Sequence, residues 1–105
     1  LRKELLMGAS ATRQVQVSID QNQLAITIPA ALHALGWQFI QSSPTSYDAA
    51  VKTNWLSWGE NIAINFSQPG WLQITSRCAF PLQLIDWGKN NKNIDNLLAH
   101  LPTVM

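Results

Sequence analysis

Strict alternation of apolar and polar residues is the feature that most constrains how this chain can fold. It is clearest over residues 12–19, where Val15, Val17 and Ile19 alternate with glutamine and serine. Successive side chains of a β-strand point to opposite faces, so such a segment buries one face and exposes the other. The pattern therefore predicts a half-buried strand.

Three further segments alternate in the same way, over residues 47–55, 62–66 and 71–76. The last two are joined by Ser67-Gln68-Pro69-Gly70, whose proline and glycine are typical of a tight turn. Because the turn is short, these two strands are predicted to pair as a hairpin.

Residues 20–36 can be interpreted in two ways. Helical spacing relates four apolar residues, Leu24, Ile28, Leu32 and Leu35. Asp20 is a suitable N-cap and Gly36 a suitable stop, which favours a helix kinked at Pro29. The alternative is a hairpin that turns at residues 20–23 and precedes a short helix beginning at Pro29. The helix is preferred because the spacing holds over three turns.

A second helix is predicted over about residues 91–101. Its apolar stripe consists of Ile94, Leu97, Leu98 and Leu101. Asn90 or Asn91 is expected to cap its start, and Pro102 to end it.

These elements predict an α+β two-layer sandwich in the order β-α-β-β-β-α. A four-stranded, mainly antiparallel sheet would carry both helices on one face. Residues 37–41 are interpreted as a short strand start and residues 42–46 as a turn, residues 1–11 as a flexible arm, and residues 12–105 as one domain. The other face of the sheet is expected to present Gln14, Gln16, Lys52, Asn65, Gln73 and Thr75. Trp55 or Trp71 beside these side chains would make that face a candidate contact surface.

The composition narrows the functional classes. Only 12% of the residues are charged, the net charge is +1, and Asn and Gln together outnumber the charged residues. This weakly charged surface favours self-association and argues against nucleic-acid binding, which needs a clustered basic face. A single cysteine excludes an internal disulfide, and no metal or cofactor is expected. No signal peptide is visible and no apolar run reaches the length of a membrane helix. The expected compartment is the cytoplasm, and the alternative is a soluble domain excised from a larger chain.

Candidate site residues concentrate between the last predicted strand and the last helix. They are Arg77, Asp86, Trp87, Lys89 and Asn90, together with Trp58 and Glu60 in an earlier loop. The leading hypothesis is a non-catalytic binding or protein-interaction domain, with a protein partner or a second copy on the open sheet face or on this loop. The alternative is a small-ligand binder or small enzyme with a polar pocket formed by Glu60, Arg77, Asp86 and Lys89. A third interpretation gives the loop a structural role, with Asn90 as a helix cap and Gly88 at an unusual backbone angle.

No catalytic group is favoured by the pattern. Cys78 with His33 or His100 is the one possible pairing of nucleophile and base, but a lone cysteine after a strand is typical of a small buried residue. Glu60 and Asp86 are more typical of turn or cap acceptors than of an acid–base pair. Arg77, Lys89 and Lys92 form at most a small basic cluster that could attract an anion.

The order of four short motifs resembles a family of small, uncharacterised bacterial α+β domains. The motifs here are Gly36-Trp37, Ser57-Trp58-Gly59-Glu60, Ser76-Arg77 and Asp86-Trp87-Gly88-Lys89-Asn90, the last matching an Asp-x-Gly-x-Asn signature that opens the final helix. The segment from Cys78 to Ile85 is longer than the corresponding segment of that pattern. The resemblance implies the fold predicted above and no particular activity.

Overall fold

The computed structural model describes residues 10–51, 59–79 and 88–101. These residues form five strands and two helices. In chain order the elements are β1 (Ser10–Gln16), α1 (Gln21–Ala34), β2 (Gln38–Ser43), β3 (Ser46–Val51), β4 (Glu60–Asn65), β5 (Trp71–Cys78) and α2 (Lys89–Ala99).

The sheet is antiparallel throughout, in the order β1-β5-β4-β3-β2. Strands β2 to β5 follow one another as neighbours, and β1 pairs with the outer side of β5. Helix α1 therefore connects the two edges of the sheet, β1 and β2. The predicted antiparallel sheet with two helices is confirmed.

The prediction of four strands in the order β-α-β-β-β-α is wrong, because residues 38–43 form a complete strand. β2 pairs with β3 through a hairpin whose turn is only Pro44 and Thr45. Ser42 and Ser43, assigned to a turn by composition, both bond to the Ser46 hydroxyl at 2.7 Å. The start of β2 was predicted over residues 37–41, but its full length was not, because an edge strand with uncharged polar residues on both faces has no alternation to detect.

A single core lies between the inner face of the sheet and the helices. Its largest fully buried apolar side chains are Leu24, Ile28, Leu32, Ile62, Ile64, Phe66, Leu72, Ile74, Ile94 and Leu97. Tyr47 joins this core with its ring centroid 6.2 Å from those of Phe39 and Phe66. The apolar residues that predicted the strands and helices are thus the residues that meet in the interior.

Helix α1 begins and ends as predicted. The backbone N–H of Gln23 donates to Asp20 Oδ1 at 2.8 Å, and the Asp20 N–H donates to Gln23 Oε1 at 3.3 Å, which completes a capping box. Gly36 follows the last turn with a φ of +75°, a left-handed angle that glycine adopts without strain. The continuous helix over Gln21–Ala34 excludes the alternative hairpin.

Pro29 lies inside α1 and removes one backbone hydrogen bond, since it has no N–H to donate to the carbonyl of Ala25. The hydroxyl of the buried Tyr47 donates to that same carbonyl oxygen at 3.2 Å. A residue of β3 therefore supplies the donor that the helix lacks. This tertiary bond explains how the interior proline is accommodated.

Replacing Tyr47 with phenylalanine is expected to lower the free energy of unfolding by about 1 kcal/mol, because the Ala25 carbonyl is left without a donor. In a Pro29→Ala background the loss is expected to be smaller, since residue 29 can then donate its own N–H. Urea denaturation of the four proteins in this double-mutant cycle measures the coupling. Equal losses in both backgrounds would show that the hydroxyl does not compensate for the proline.

Two boundaries at the ends of the described fold differ from the predicted ones. Ser10 and Ala11, assigned to the flexible arm, already belong to β1 and pair with Arg77 and Ser76. Helix α2 begins at Lys89, and its N-cap is Gly88 with a φ of +81°. The prediction that Asn90 or Asn91 caps this helix is therefore wrong, because both residues lie inside the helix and Asn90 is buried.

Candidate functional site

A buried polar cluster links α2 to the inner face of β4 and β5. Its four members are Glu60, Ser76, Asn90 and Asn93, and the exposed fraction of Glu60 is only 3%. The Asn93 amide donates to Glu60 Oε1 at 2.9 Å and to Ser76 Oγ at 3.3 Å. Ser76 Oγ donates to Asn90 Oδ1 at 2.7 Å, and the Asn90 amide donates to Cys78 Sγ at 3.5 Å. The polar cluster is a continuous chain of side-chain bonds.

The hydrogen bonds of the polar cluster hold α2 in place against the sheet. Polar groups that leave water must find partners inside the protein, and these side chains find them in one another. Because the bonds have directions and lengths, they fix the position of α2 against the sheet more specifically than apolar packing does. Asn90 thus bonds to Ser76 and Cys78 of β5 and is not the cap of the helix.

Cys78 is buried, as the sequence predicted. His33 and His100 both lie on the exposed surface, and the Nδ1 atom of His100 is 2.8 Å from the backbone oxygen of Asn96. An interior thiol and two surface imidazoles do not form the nucleophile–base pair considered from the composition.

Glu60 and Arg77 do not line one pocket, because the sheet separates them. Cys78 lies opposite Glu60 in the β4–β5 register, and Arg77 lies opposite Asn61. Neighbouring positions of a strand face opposite ways, so Glu60 lies on the inner face and Arg77 on the outer one.

The remaining predicted site residues do not join Arg77 on that outer face. Lys89 and Asn90 belong to α2, on the inner side, as does Lys92, so the sheet also separates Arg77 from the two lysines. Trp58, Asp86 and Trp87 lie outside the described residues, as do Lys52 and Trp55.

The outer face of the sheet forms a distinct surface, which we call the open face. It presents Thr12, Gln14 and Gln16 of β1, Trp71, Gln73, Thr75 and Arg77 of β5, Asn61, Ala63 and Asn65 of β4, Asp48 and Ala50 of β3, and Gln38 and Ile40 of β2. Most of these side chains are exposed, and Ile40 is 67% exposed. The predicted polar face is confirmed for Gln14, Gln16, Asn65, Gln73 and Thr75, with Trp71 beside them.

A depression of about 680 Å³ lies over the part of the open face that β2 to β5 form, level with residues 61–63 of β4. Its floor is formed by Ala50 and Ala63, because two methyl side chains leave space among the longer residues around them. Gln38 and Ile40 border it on the β2 side, while Asp48 and Arg77 border it on β3 and β5. Its volume lies within the range of about 300–1,000 Å³ that is usual for binding sites.

The open face carries two opposite charges that are unpaired among the described residues. Asp48 and Arg77 make no hydrogen bond or ion pair there, whereas Arg13 pairs with Asp95 of α2. The Nε atom of Arg77 is buried and has no hydrogen-bond partner. A charged group without a partner gains free energy from a contact that supplies one, although the buried Nε atom itself is not accessible to a partner. Arg77 and Asp48 are therefore the residues of this face most suited to recognition.

Sequence reasoning identified Arg77 but missed Asp48, Ala50 and Ala63. Their signal was present in the alternation, since each is the polar or small residue between two buried ones. What was lacking was the register, which brings Asp48 opposite Ala63 and Ala50 opposite Asn61.

Among residues 10–51, 59–79 and 88–101, no group of His, Cys, Asp or Glu could hold a metal ion, and no helix is long and apolar enough to cross a membrane. Comparison of the chain with family models, curated proteins and solved structures finds no match. The resemblance of its four short motifs to a bacterial family stays a prediction.

Proposed function

We propose that this chain is a non-catalytic binding domain and that the open face is its contact surface. The observation that carries the proposal is a pair of opposite charges, Asp48 and Arg77, which have no partner among the described residues and border a 680 Å³ depression. The low overall charge and the amide-rich surface support a partner that is a protein rather than a nucleic acid.

The chemistry of the open face supports binding more than catalysis. Its two charged groups are separated by the width of β4, and glutamine, asparagine and threonine side chains surround them. Such groups donate and accept hydrogen bonds, but at neutral pH they do not exchange protons. Thr12 and Thr75, whose hydroxyls lie 3.0 Å apart, illustrate the neutral polar character of the surface.

Ala63→Glu is expected to weaken binding to any partner of this face by about tenfold or more, because it fills the depression with a longer side chain and adds a second carboxylate directly opposite Asp48. The matched control is Ala30→Glu, the same substitution at an exposed position of α1. Two measurements test the prediction on both variants and the parent protein: sedimentation velocity over a concentration series, and affinity capture of partners.

Loss of self-association or of a captured partner in Ala63→Glu, with both retained in Ala30→Glu, would support the open face as the contact surface. Circular dichroism and urea denaturation verify that both variants fold. A parent protein that stays monomeric and captures no partner lost by Ala63→Glu would contradict the proposal.

A further inference from the structure

We infer that the occupant of the open face is a second copy of this chain, placed so that Asp48 of each copy contacts Arg77 of the other. This inference rests on the proposed function and specifies its partner. The two copies would be related by a two-fold axis lying between their sheets, which makes both charge contacts equivalent.

The strand register provides the necessary geometry. Arg77 lies opposite Asn61, and Asp48 lies opposite Ala63, two residues further along β4. Arg77 and Asp48 therefore lie on the two strands that flank β4, and they are offset by two residues along the strand direction. On a flat sheet this gives a Cα separation of about 12 Å. A two-fold axis that crosses the midpoint of the line from Asp48 to Arg77 at a right angle places Asp48 of each copy over Arg77 of the other. Asn61 and Ala63 then lie close to this axis.

The rest of the open face is complementary to itself. Its described residues include one acid and one base, so these charges let two copies meet without net repulsion. The amides of Gln38, Asn61, Asn65 and Gln73 each carry both donors and acceptors, so each can bond to an identical group. A protein partner of a single strong charge would leave either Asp48 or Arg77 facing a like charge. The depression over Ala50 and Ala63 leaves room for these amides and for bridging water, as is common in weak interfaces.

The size of the face sets the expected strength. Five strands about 4.8 Å apart and about six residues long give a footprint of about 500 Å² per copy. This is smaller than the ~800 Å² per partner of a standard interface, so the dimer is expected to be weak and reversible. A dissociation constant in the micromolar range is expected, and salt should weaken the dimer because it screens the attraction between the opposite charges.

Reciprocal charge swaps test this arrangement directly. Asp48→Arg places two arginines at each contact and Arg77→Asp places two aspartates there, so each variant alone is expected to raise the dissociation constant about tenfold or more. Mixing the two variants should restore association, because an all-basic face then meets an all-acidic one. The double variant Asp48→Arg/Arg77→Asp should also associate with itself. Sedimentation equilibrium from about 1 μM to about 1 mM covers the expected range.

Weakening by each swap together with recovery in the mixture would establish the inference, and recovery also shows that the single variants are folded. A parent protein that is monomeric throughout the series would overturn it. Self-association unchanged by either swap would equally overturn it, and would indicate another surface such as the edge strand β2. If the parent is monomeric but loses a captured protein partner through Ala63→Glu, only the second copy is excluded and the proposed function stands.

Discussion

Replacing Ile28 with alanine is expected to lower the free energy of unfolding by about 2–5 kcal/mol. Ile28 is fully buried on the side of α1 that faces the sheet. Alanine loses the transfer free energy of the removed carbons and leaves a cavity that the surrounding core fills only in part. Since domains of this size are stable by about 5–15 kcal/mol, the loss is a large fraction of the total. Urea denaturation followed by circular dichroism measures it.

Ile26→Ala is the matched control, in the same helix and with the same atoms removed. Ile26 is 71% exposed, so its replacement should change the free energy of unfolding by no more than about 0.5 kcal/mol. The higher helix propensity of alanine offsets part of any lost contact. Similar losses for Ile26 and Ile28 would mean that α1 presents a different side to the sheet.

Asn93→Ala is expected to cost about 2–3 kcal/mol, the second large effect. The Asn93 amide donates to both Glu60 and Ser76 inside the polar cluster. Alanine has no donor to replace it, and water does not reach the buried oxygens freely. The cost is therefore the penalty of leaving buried polar atoms unsatisfied, which exceeds the net value of an ordinary hydrogen bond.

Asn96→Ala provides the comparison for Asn93, since Asn96 lies in the same helix with an exposed side chain. Its replacement should leave the midpoint of urea denaturation nearly unchanged. A second test is the cycle of Asn93→Ala with Ser76→Ala, where the two losses should be less than additive because the residues share a bond. Additive losses would show that the polar cluster does not act as a unit.

The apolar pattern allowed much of the fold to be predicted. β1, the hairpin of β4 and β5, and α1 follow from side chains that alternate with periods of two or recur with the helical repeat. The helix over residues 21–34 was predictable despite Pro29, because Leu24, Ile28 and Leu32 define one buried side. The compensation for Pro29 was not predictable, since its donor comes from Tyr47 in another element.

β2 and the candidate site show that the pattern within one segment does not determine which strand it pairs with or which residues become its neighbours in space. β2 is specified by its pairing with β3 rather than by its own alternation. Most residues of the predicted site lie close together in the sequence, between Arg77 and Asn90, but adjacent strand positions face opposite sides of a sheet. Arg77 therefore joined Asp48 and Ala63, which are distant in sequence, instead of its neighbours Ser76 and Asn90.

Alternation by itself determined that this chain forms half-buried strands, because burying apolar side chains is a property of each segment and can be recognised locally. The tertiary structure alone decided which strands lie side by side and in which register. Those choices depend on contacts between segments that are far apart in the chain. They placed one acid and one base around an alanine-floored depression. The open face is thus a product of strand order and register, and the alternation that predicted the strands indicated only that they would leave one side exposed.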